Sequence, residues 1–265
     1  MHRWYFIFAQ WFKRDLEGRY RGSWLGMLWP LIHPLSQVAI FTLILHGFIQ
    51  IRWPTAVGSG SPADTGGAWV YALNVLAGLT VFNFFAEVLG RSPVAVLSQP
   101  NLVTRVKFPL WLLPVVTVGA ALVHVGVGAT VLVVASALGG TLSLEMAWLP
   151  LWLIPVVLYG LSFAMLLSCL GVYVRDIGQA MSAVTSLLMF VTPIFYPMTS
   201  VPANMRVLFE LNPVAWATEA LRGFLLNGHS LDLGDWTLHF AISAGAALLA
   251  IGVFSRLQEG FADVL

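Results

Sequence analysis

Six long stretches of this chain contain no aspartate, glutamate, lysine or arginine, and they constrain the fold more than any other feature. The stretches run from Arg21 to Arg52, Asp64 to Glu87, Lys107 to Glu145, Glu145 to Arg175, Asp176 to Arg206 and Asp235 to Arg256. Each holds 20 or more residues, and a helix needs about 20 to cross a bilayer. The sequence therefore predicts six transmembrane helices, at roughly residues 27–50, 67–90, 109–137, 148–173, 177–197 and 236–256.

The composition supports this interpretation, because only 9% of the residues are charged and 58% are hydrophobic. A soluble domain has about 25% charged residues to cover its surface. In lipid the backbone must satisfy its own hydrogen bonds, so long apolar runs form helices, and these runs lack the alternation of a membrane barrel strand. We predict an all-α integral membrane protein. The net charge of +1 gives no indication of a nucleic-acid partner.

Basic residues in the loops predict the orientation. With six spans, both termini lie on one side, which carries nine lysines and arginines against three on the other. The nine are Arg3, Lys13, Arg14, Arg19, Arg21, Arg105, Lys107, Arg175 and Arg256. Loops rich in these residues stay in the cytoplasm. Both termini are therefore predicted to be cytoplasmic.

Residues 1–23 have the pattern of an amphipathic helix at the membrane interface. Lys13 and Arg14 follow the first apolar residues, whereas a signal peptide has its basic residues before them. A helix with an aromatic face and a basic face lies in the interface rather than across it. The apolar face repeats every four residues, at Trp4, Phe8, Phe12, Leu16 and Tyr20.

The segment 198–235 between the last two spans is predicted to be re-entrant and extracytoplasmic. Prolines at 193, 197 and 202 end the fifth span. Residues 214–227 predict a short, half-apolar helix, in which Glu219 and Arg222 are three residues apart and could pair.

Glu87 and Arg91 lie four residues apart near the cytoplasmic end of the second predicted span. Such residues at membrane depth indicate function, but their i, i+4 spacing also suits a local pair at the interface, which we favour. The histidines lack metal-ligand spacing and are interpreted as packed or interfacial; five of them are His33, His46, His124, His229 and His239.

Catalytic motifs are weak or missing in the sequence. No phosphate-binding P-loop pattern occurs, so the chain is not itself a P-loop ATPase. An intramembrane serine protease would need a serine and a histidine on facing helices. Ser162 and His239 could be assigned those roles, although small residues such as serine are common where transmembrane helices pack.

Five blocks of sequence, in order along the chain, resemble ABC-2-type polysaccharide export permeases, the membrane subunits that export O-antigens, capsules and teichoic acids. The blocks are Arg14–Gly26 with Trp29-Pro30 and Pro34, Asn101–Pro109, Val174–Ile177 with Thr192–Pro197, Leu211–Pro213 with Glu219–Arg222, and Arg256–Leu257 with Phe261–Leu265. The resemblance implies a single transmembrane permease domain over residues 1–265 in the bacterial inner membrane. It also implies a homodimer that binds two separate ATPase subunits. ATP and Mg would bind those subunits, and this chain would bind no cofactor.

The resemblance further implies which segments meet the ATPase. The N-terminal helix and the loop at 98–108 would form the cytoplasmic surface that the ATPase grips. Pro100 is suited to begin a short helix in this loop, and Pro109 to end it. The coupling residues implied are Gln99, Asn101, Leu102, Thr104, Arg105 and Lys107.

The family's substrate, a polymer on undecaprenyl pyrophosphate, would move between two permease copies. Arg14, Arg19 and Arg21 are candidates for binding its pyrophosphate, and attraction of anionic lipid explains them equally well. Prolines at 30 and 34 would shape the cytoplasmic entrance of the path. Aromatic residues that the family would place near the path are Trp69, Tyr71, Phe82, Phe84, Phe85, Phe195, Tyr196 and Trp216.

O-antigen is the expected substrate, and capsular polysaccharide or teichoic acid comes second. A small-molecule exporter permease of the same fold is an alternative, against which the Arg14–Gly26 and Asn101–Pro109 blocks argue. In the expected mechanism, ATP binding closes the ATPase dimer, and the N-terminal helix and the 98–108 loop transmit that motion to the permease halves.

Overall fold

The fold is all-helical in the computed structural model, which describes residues 2–20, 23–51, 53, 67–104, 108–139 and 144–264. The all-α prediction is confirmed. The helices are α1 His2–Tyr20, α2 Trp29–Phe41, α3 Ala68–Ala95, α4 Pro100–Thr104, α5 Leu112–Leu138, α6 Leu149–Tyr173, α7 Ile177–Val191, α8 Arg206–Glu210, α9 Pro213–Leu226, α10 Leu233–Leu257 and α11 Phe261–Val264. A π-helical stretch, Thr42–Phe48, continues α2, and a 3₁₀ turn, Leu144–Trp148, leads into α6.

Five helical segments of the described chain are long and apolar enough to cross a bilayer. They are Trp29–Phe48, Ala68–Ala95, Leu112–Leu138, Leu144–Tyr173 and Leu233–Val264. These segments correspond to five of the six predicted spans. The chain is therefore a multi-pass membrane protein.

The remaining predicted span, 177–197, is shorter than expected. Its helix, α7, ends at Val191 after 15 residues, about 22 Å of helix. Thr192 has extended backbone angles, φ −101° and ψ 134°, because the residue before a proline is sterically excluded from the helical region. Pro193 thus ends α7 six residues before the predicted boundary.

α3 is the central helix of the bundle. Its side chains are buried almost without interruption from Leu73 to Phe85, and it packs against α2, α5, α6, α7 and α9. α10 lies outside, against α6. At Gly171 a Cβ atom would lie 1.9 Å from the Pro93 carbonyl oxygen, so α6 and α3 cross at a distance that only glycine allows.

α1 lies against the start of α5. The rings of Phe8 and Phe12 approach Gly119 of α5, and Trp11 packs against Phe108 with ring centroids 5.3 Å apart. Phe8 and Phe12, two of the predicted apolar positions, therefore face the bundle. We call the part of the bundle formed by α1, α4, the C-terminal part of α3 and the start of α5 the α1 end. The opposite part, formed by α9, the start of α3 and the end of α7, is the α9 end.

Candidate functional site

The coupling loop forms a short helix that begins at Pro100, as its sequence predicts. Asn101 and Thr104 are exposed, whereas Leu102 is part-buried against a small apolar cluster that includes Phe261. Arg105 and Lys107, the two basic residues assigned to this loop, lie outside the described residues. The described part of the loop therefore exposes the polar side chains of Asn101 and Thr104, while Leu102 packs against the apolar cluster.

α1 contacts this loop directly. The Arg14 guanidinium donates from Nη2 to Oε1 of Gln99 at 3.3 Å, and its Cζ lies 3.8 Å from the centre of the Trp11 ring. Arg14 itself remains exposed. The two segments assigned to ATPase contact are therefore neighbours.

The three arginines proposed for the pyrophosphate have different surroundings. Arg14 is accessible, and Arg21 lies outside the described residues. The side chain of Arg19 is only 10% exposed; its Nε donates to Asp15 Oδ2 at 2.9 Å and its Nη1 donates to Glu87 Oε1. Arg19 is thus engaged within the chain in this conformation, and of the two described arginines Arg14 is the accessible one.

Glu87 lies at the centre of a charge cluster formed by Asp15, Arg19, Glu87, Arg91 and His124. Its Oε2 lies 2.7 Å from His124 Nδ1 on α5, and its Oε1 accepts from Arg19 on α1. The Glu87 side chain is 14% exposed. The cluster therefore joins α1, α3 and α5.

The predicted contact between Glu87 and Arg91 is present, but both residues also contact other helices. Arg91 Nη2 donates to Asp15 Oδ1 on α1 at 2.8 Å, while its nearest contact to Glu87 is 3.9 Å. Sequence reasoning missed the roles of Asp15 and His124. The i, i+4 spacing of Asp15 and Arg19 was the available signal, but no spacing links α1 to α3, because that contact is tertiary.

A cavity of about 300 Å³ lies beside the cluster, between α2, α3 and α5. This volume is at the lower end of the range for ligand pockets. The prolines predicted to shape an entrance, Pro30 and Pro34, are buried and line this cavity. Its other lining residues are Trp29, His33, Thr80, Asn83, Glu87, His124 and Gly128.

The aromatic candidates divide into buried and accessible groups. Buried within the chain are Tyr71, Phe82, Phe84, Phe85 and Phe195. Trp69 is 50% exposed, and Tyr196 and Trp216 are part-buried. Trp216 stacks on His239 with centroids 4.2 Å apart and borders a cavity of about 610 Å³ between α8, α9 and α10. Accessible ring surface is thus confined to Trp69, Tyr196 and Trp216 among the eight.

Arg222 on α9 is the most buried charge at the α9 end, with 1% exposure. The predicted contact with Glu219 is present, at 2.7 Å from Nη1 to Oε1. The guanidinium also donates to three backbone carbonyls, those of Asn74 at 2.9 Å, Pro193 at 2.6 Å and Ile194 at 2.8 Å. We call this arrangement the Arg222 hub. It ties α9 to α3 and to the end of α7.

The start of α9 positions Arg222, and the surroundings of its guanidinium group affect its pKa. Pro213 opens α9, and Asn212 caps it by accepting from the Val214 amide at 3.0 Å. Burial lowers the pKa of the Arg222 guanidinium, and the Glu219 carboxylate acts to raise it. Because the ordinary pKa of arginine lies far above neutral pH, the side chain remains charged. The carbonyls it binds were not foreseeable from the sequence.

Ser162 and His239 have separate partners. The Ser162 hydroxyl donates to the Leu158 carbonyl at 2.7 Å, one turn earlier in its own helix. His239 Nδ1 lies 3.1 Å from the Tyr159 hydroxyl. The serine therefore lacks the histidine base that a protease mechanism requires.

The comparisons with known proteins agree over most of the chain. The profile of a family described as "ABC-2 type transporter" matches residues 8–226. An O-antigen export system permease protein RfbA of Klebsiella pneumoniae is 24% identical over 255 residues, which cover 96% of this chain and 92% of the relative. The protein of the same description from Myxococcus xanthus is 22% identical over 257 residues, covering 95% and 92%.

Proposed function

The chain belongs to the ABC-2 type transporter family, and we propose that it exports a lipid-linked polysaccharide, most specifically O-antigen, from the cytoplasm across the bacterial inner membrane. The observation that carries this proposal is the nearly full-length match to two relatives described as O-antigen export permeases. The order of the five sequence blocks along the chain supports the same branch of the family. Both termini would be cytoplasmic.

A separate ATPase supplies the energy in this proposal. Two copies, each with its own ATP and Mg, would dock on the α1 end of two permease chains. Supporting this, α4 exposes Asn101 and Thr104, and Arg14 of α1 contacts Gln99, the residue immediately before α4. ATP-driven closure of the ATPases would push α4 and α1 and change the separation of the permease halves.

A second copy of the chain would form the other wall of the path. α7 exposes apolar side chains along one face, including Leu187 at 67% and Phe190 at 71%. Large apolar side chains pack against lipid as well as against a helix of a second chain. The exposed face of α7 is therefore suitable for contact between two copies. Arg14 remains a candidate for the pyrophosphate, and Trp69, Tyr196 and Trp216 remain candidates for contact with sugars.

The test of the substrate is deletion of the gene in its native host, with the wild-type gene returned as a control. We expect one surface polysaccharide to disappear and its lipid-linked form to accumulate inside the cell. The identity of the missing polymer separates O-antigen from capsule or teichoic acid. Unchanged surface glycans without internal accumulation would contradict polysaccharide export and favour a small-molecule exporter.

The test of ATPase docking uses two matched substitutions at exposed threonines. Thr104→Arg adds bulk and charge to α4, and Thr199→Arg adds the same groups in the segment between α7 and α8. We expect Thr104→Arg to reduce co-purification of the ATPase and Thr199→Arg to leave it unchanged. Equal co-purification of both variants would exclude α4 as the docking element.

A further inference from the structure

α1 touches two different parts of the molecule with two parts of its polar side. Arg14 contacts Gln99, next to the short helix α4. The next residue, Asp15, contacts Arg91 on α3, and Arg19, one turn beyond Asp15, contacts Glu87 on α3. A displacement of α4 that moves α1 must therefore strain or break the charge cluster.

The charge cluster is balanced. It contains two carboxylates, Asp15 and Glu87, and two guanidinium groups, Arg19 and Arg91, so the charges of these four groups cancel. Each of the two cluster residues on α1 contacts a residue of opposite charge on α3: Asp15 contacts Arg91, and Arg19 contacts Glu87. Removal of one charge leaves another without its partner in a part-buried site, which is unfavourable.

The cluster also forms part of a cavity wall. Glu87 and His124 line the 300 Å³ cavity, opposite Pro30 and Pro34 of α2. Glu87 is therefore bound to α1 and borders the space between α2, α3 and α5. Its release from Arg19 would change the charge and the shape of that space at once.

Contacts between side chains suit a joint that opens and closes. Asp15 is 26% and Arg91 40% exposed, so water reaches the cluster and can replace a broken contact. A guanidinium that leaves one carboxylate can also bind another without any backbone change. Because water or another carboxylate can replace each of its contacts, the cluster differs from a contact that holds two helices in one arrangement.

We propose that the charge cluster is a latch through which α1 transmits the movement of α4 to α3 and α5, with Glu87 as its central positioning residue. This inference rests on the proposed function and adds the residues that would carry the coupling. The closed latch is the arrangement in this structure. Movement of α1 away from α3 separates Arg19 from Glu87 and frees the Glu87 carboxylate, which lines the cavity.

The first experiment measures the latch contact without any transport assay. The full chain in lipid nanodiscs carries Arg19→Gln, Glu87→Gln or both, and hydrogen–deuterium exchange follows the α1 amides. Each single substitution leaves one net charge in the cluster, and the double substitution restores neutrality. We expect each single variant to exchange about tenfold faster or more, since breaking a part-buried ion pair exposes an unmatched charge, and the double variant to exchange more slowly than either.

Glu259→Gln is the matched control, because it removes an exposed carboxylate beside α11, which packs near α4. We expect its α1 exchange to equal that of the wild type. Wild-type exchange in both single variants, or purely additive effects in the double variant, would overturn the latch.

The second experiment compares export with ATP hydrolysis for the same variants. A latch predicts that the single variants assemble with the ATPase and hydrolyse ATP but export less polymer per ATP, with partial recovery in the double variant. A parallel loss of assembly, hydrolysis and export would show a purely structural role and overturn the latch, as would unchanged export per ATP. Unchanged glycans in the deletion strain overturn the proposed function separately, and the exchange result then still decides whether the contact holds α1.

Discussion

The two ends of the bundle hold their buried arginines in different ways. At the α1 end, Arg19 binds the carboxylates of Asp15 and Glu87, and all three side chains retain some exposure. At the α9 end, Arg222 binds three backbone carbonyls as well as Glu219 and is 1% exposed. Arg19 thus joins side chains, which can exchange hydrogen-bond partners. Arg222 joins backbone segments, which can separate only if the local structure opens.

This difference assigns different roles to the two ends. Buried backbone carbonyls outside regular helix need hydrogen-bond donors from elsewhere. Arg222 donates to the carbonyls of Pro193 and Ile194 in the non-helical segment after α7, and its Cζ also lies 4.5 Å from the centre of the Trp53 ring. The α9 end is therefore built as a fixed support, whereas the α1 end is built to rearrange.

The largest effect is expected from Arg222→Gln. The shorter neutral side chain leaves buried carbonyls and the Glu219 carboxylate without their donors, so we expect a loss of about 3 kcal/mol of stability. Thermal unfolding of the detergent-solubilised chain, followed by intrinsic fluorescence, measures this loss. The control is Arg206→Gln, at an exposed arginine of α8; equal stability of the two variants would refute the fixed support.

Gly78→Ala should weaken the same hub by a smaller amount. A Cβ at residue 78 would lie 2.9 Å from Arg222 Nη2 and 3.1 Å from the Ile194 Cα, so the hub must shift. We expect a loss of about 1–2 kcal/mol from overpacking. At Gly90, on the same helix, a Cβ meets nothing within 4 Å among the described residues, and Gly90→Ala should instead stabilise α3 by up to about 1 kcal/mol. If the same melting assay showed both variants destabilised, or both stabilised, the result would contradict this prediction.

Glu87→Gln should cost less stability than Arg222→Gln, because water can partly solvate the cluster. We expect a loss of about 1–2 kcal/mol. The direct measurement is a side-by-side melt of the two variants in one lipid nanodisc preparation. A Glu87→Gln variant less stable than Arg222→Gln would reverse the comparison between the ends.

The smallest effect is expected from Glu17→Gln. Lys13 and Glu17 form an ion pair of 3.7 Å on α1, with side chains 76% and 66% exposed. Solvent-exposed pairs of this kind contribute less than about 0.5 kcal/mol, so the melting temperature should stay the same. A shift as large as that of Glu87→Gln would mean that α1 is stabilised by its exposed charges rather than by the cluster.

Much of the fold was predictable because it follows from local chemistry. The start of α4 at Pro100 and the start of α9 at Pro213 follow from the conformational restriction of proline at a helix start. The fifth span was misjudged because its apolar stretch continues past the end of the helix at Val191. Hydropathy reports the environment of a residue, whereas the helix end is set by the backbone before Pro193.

The candidate site was less predictable. Sequence spacing identified Glu219 with Arg222 and Glu87 with Arg91, because each pair lies on one helix. It missed the shorter contacts of Glu87 with Arg19 and His124, which are separated from it by 68 and 37 residues in the sequence. Pairings at such separations depend on how helices pack, and no local pattern reports them.

By itself the sequence determined that this chain lies in a membrane and where its five long apolar helices lie, because length and hydropathy act locally. Only the tertiary structure decided that α3 is the centre of the bundle, that α1 is fastened to it through Glu87, and that Arg222 binds backbone carbonyls. The physical reason is that buried charges must find partners wherever packing places them. The roles of Glu87 and Arg222 are therefore properties of the folded bundle.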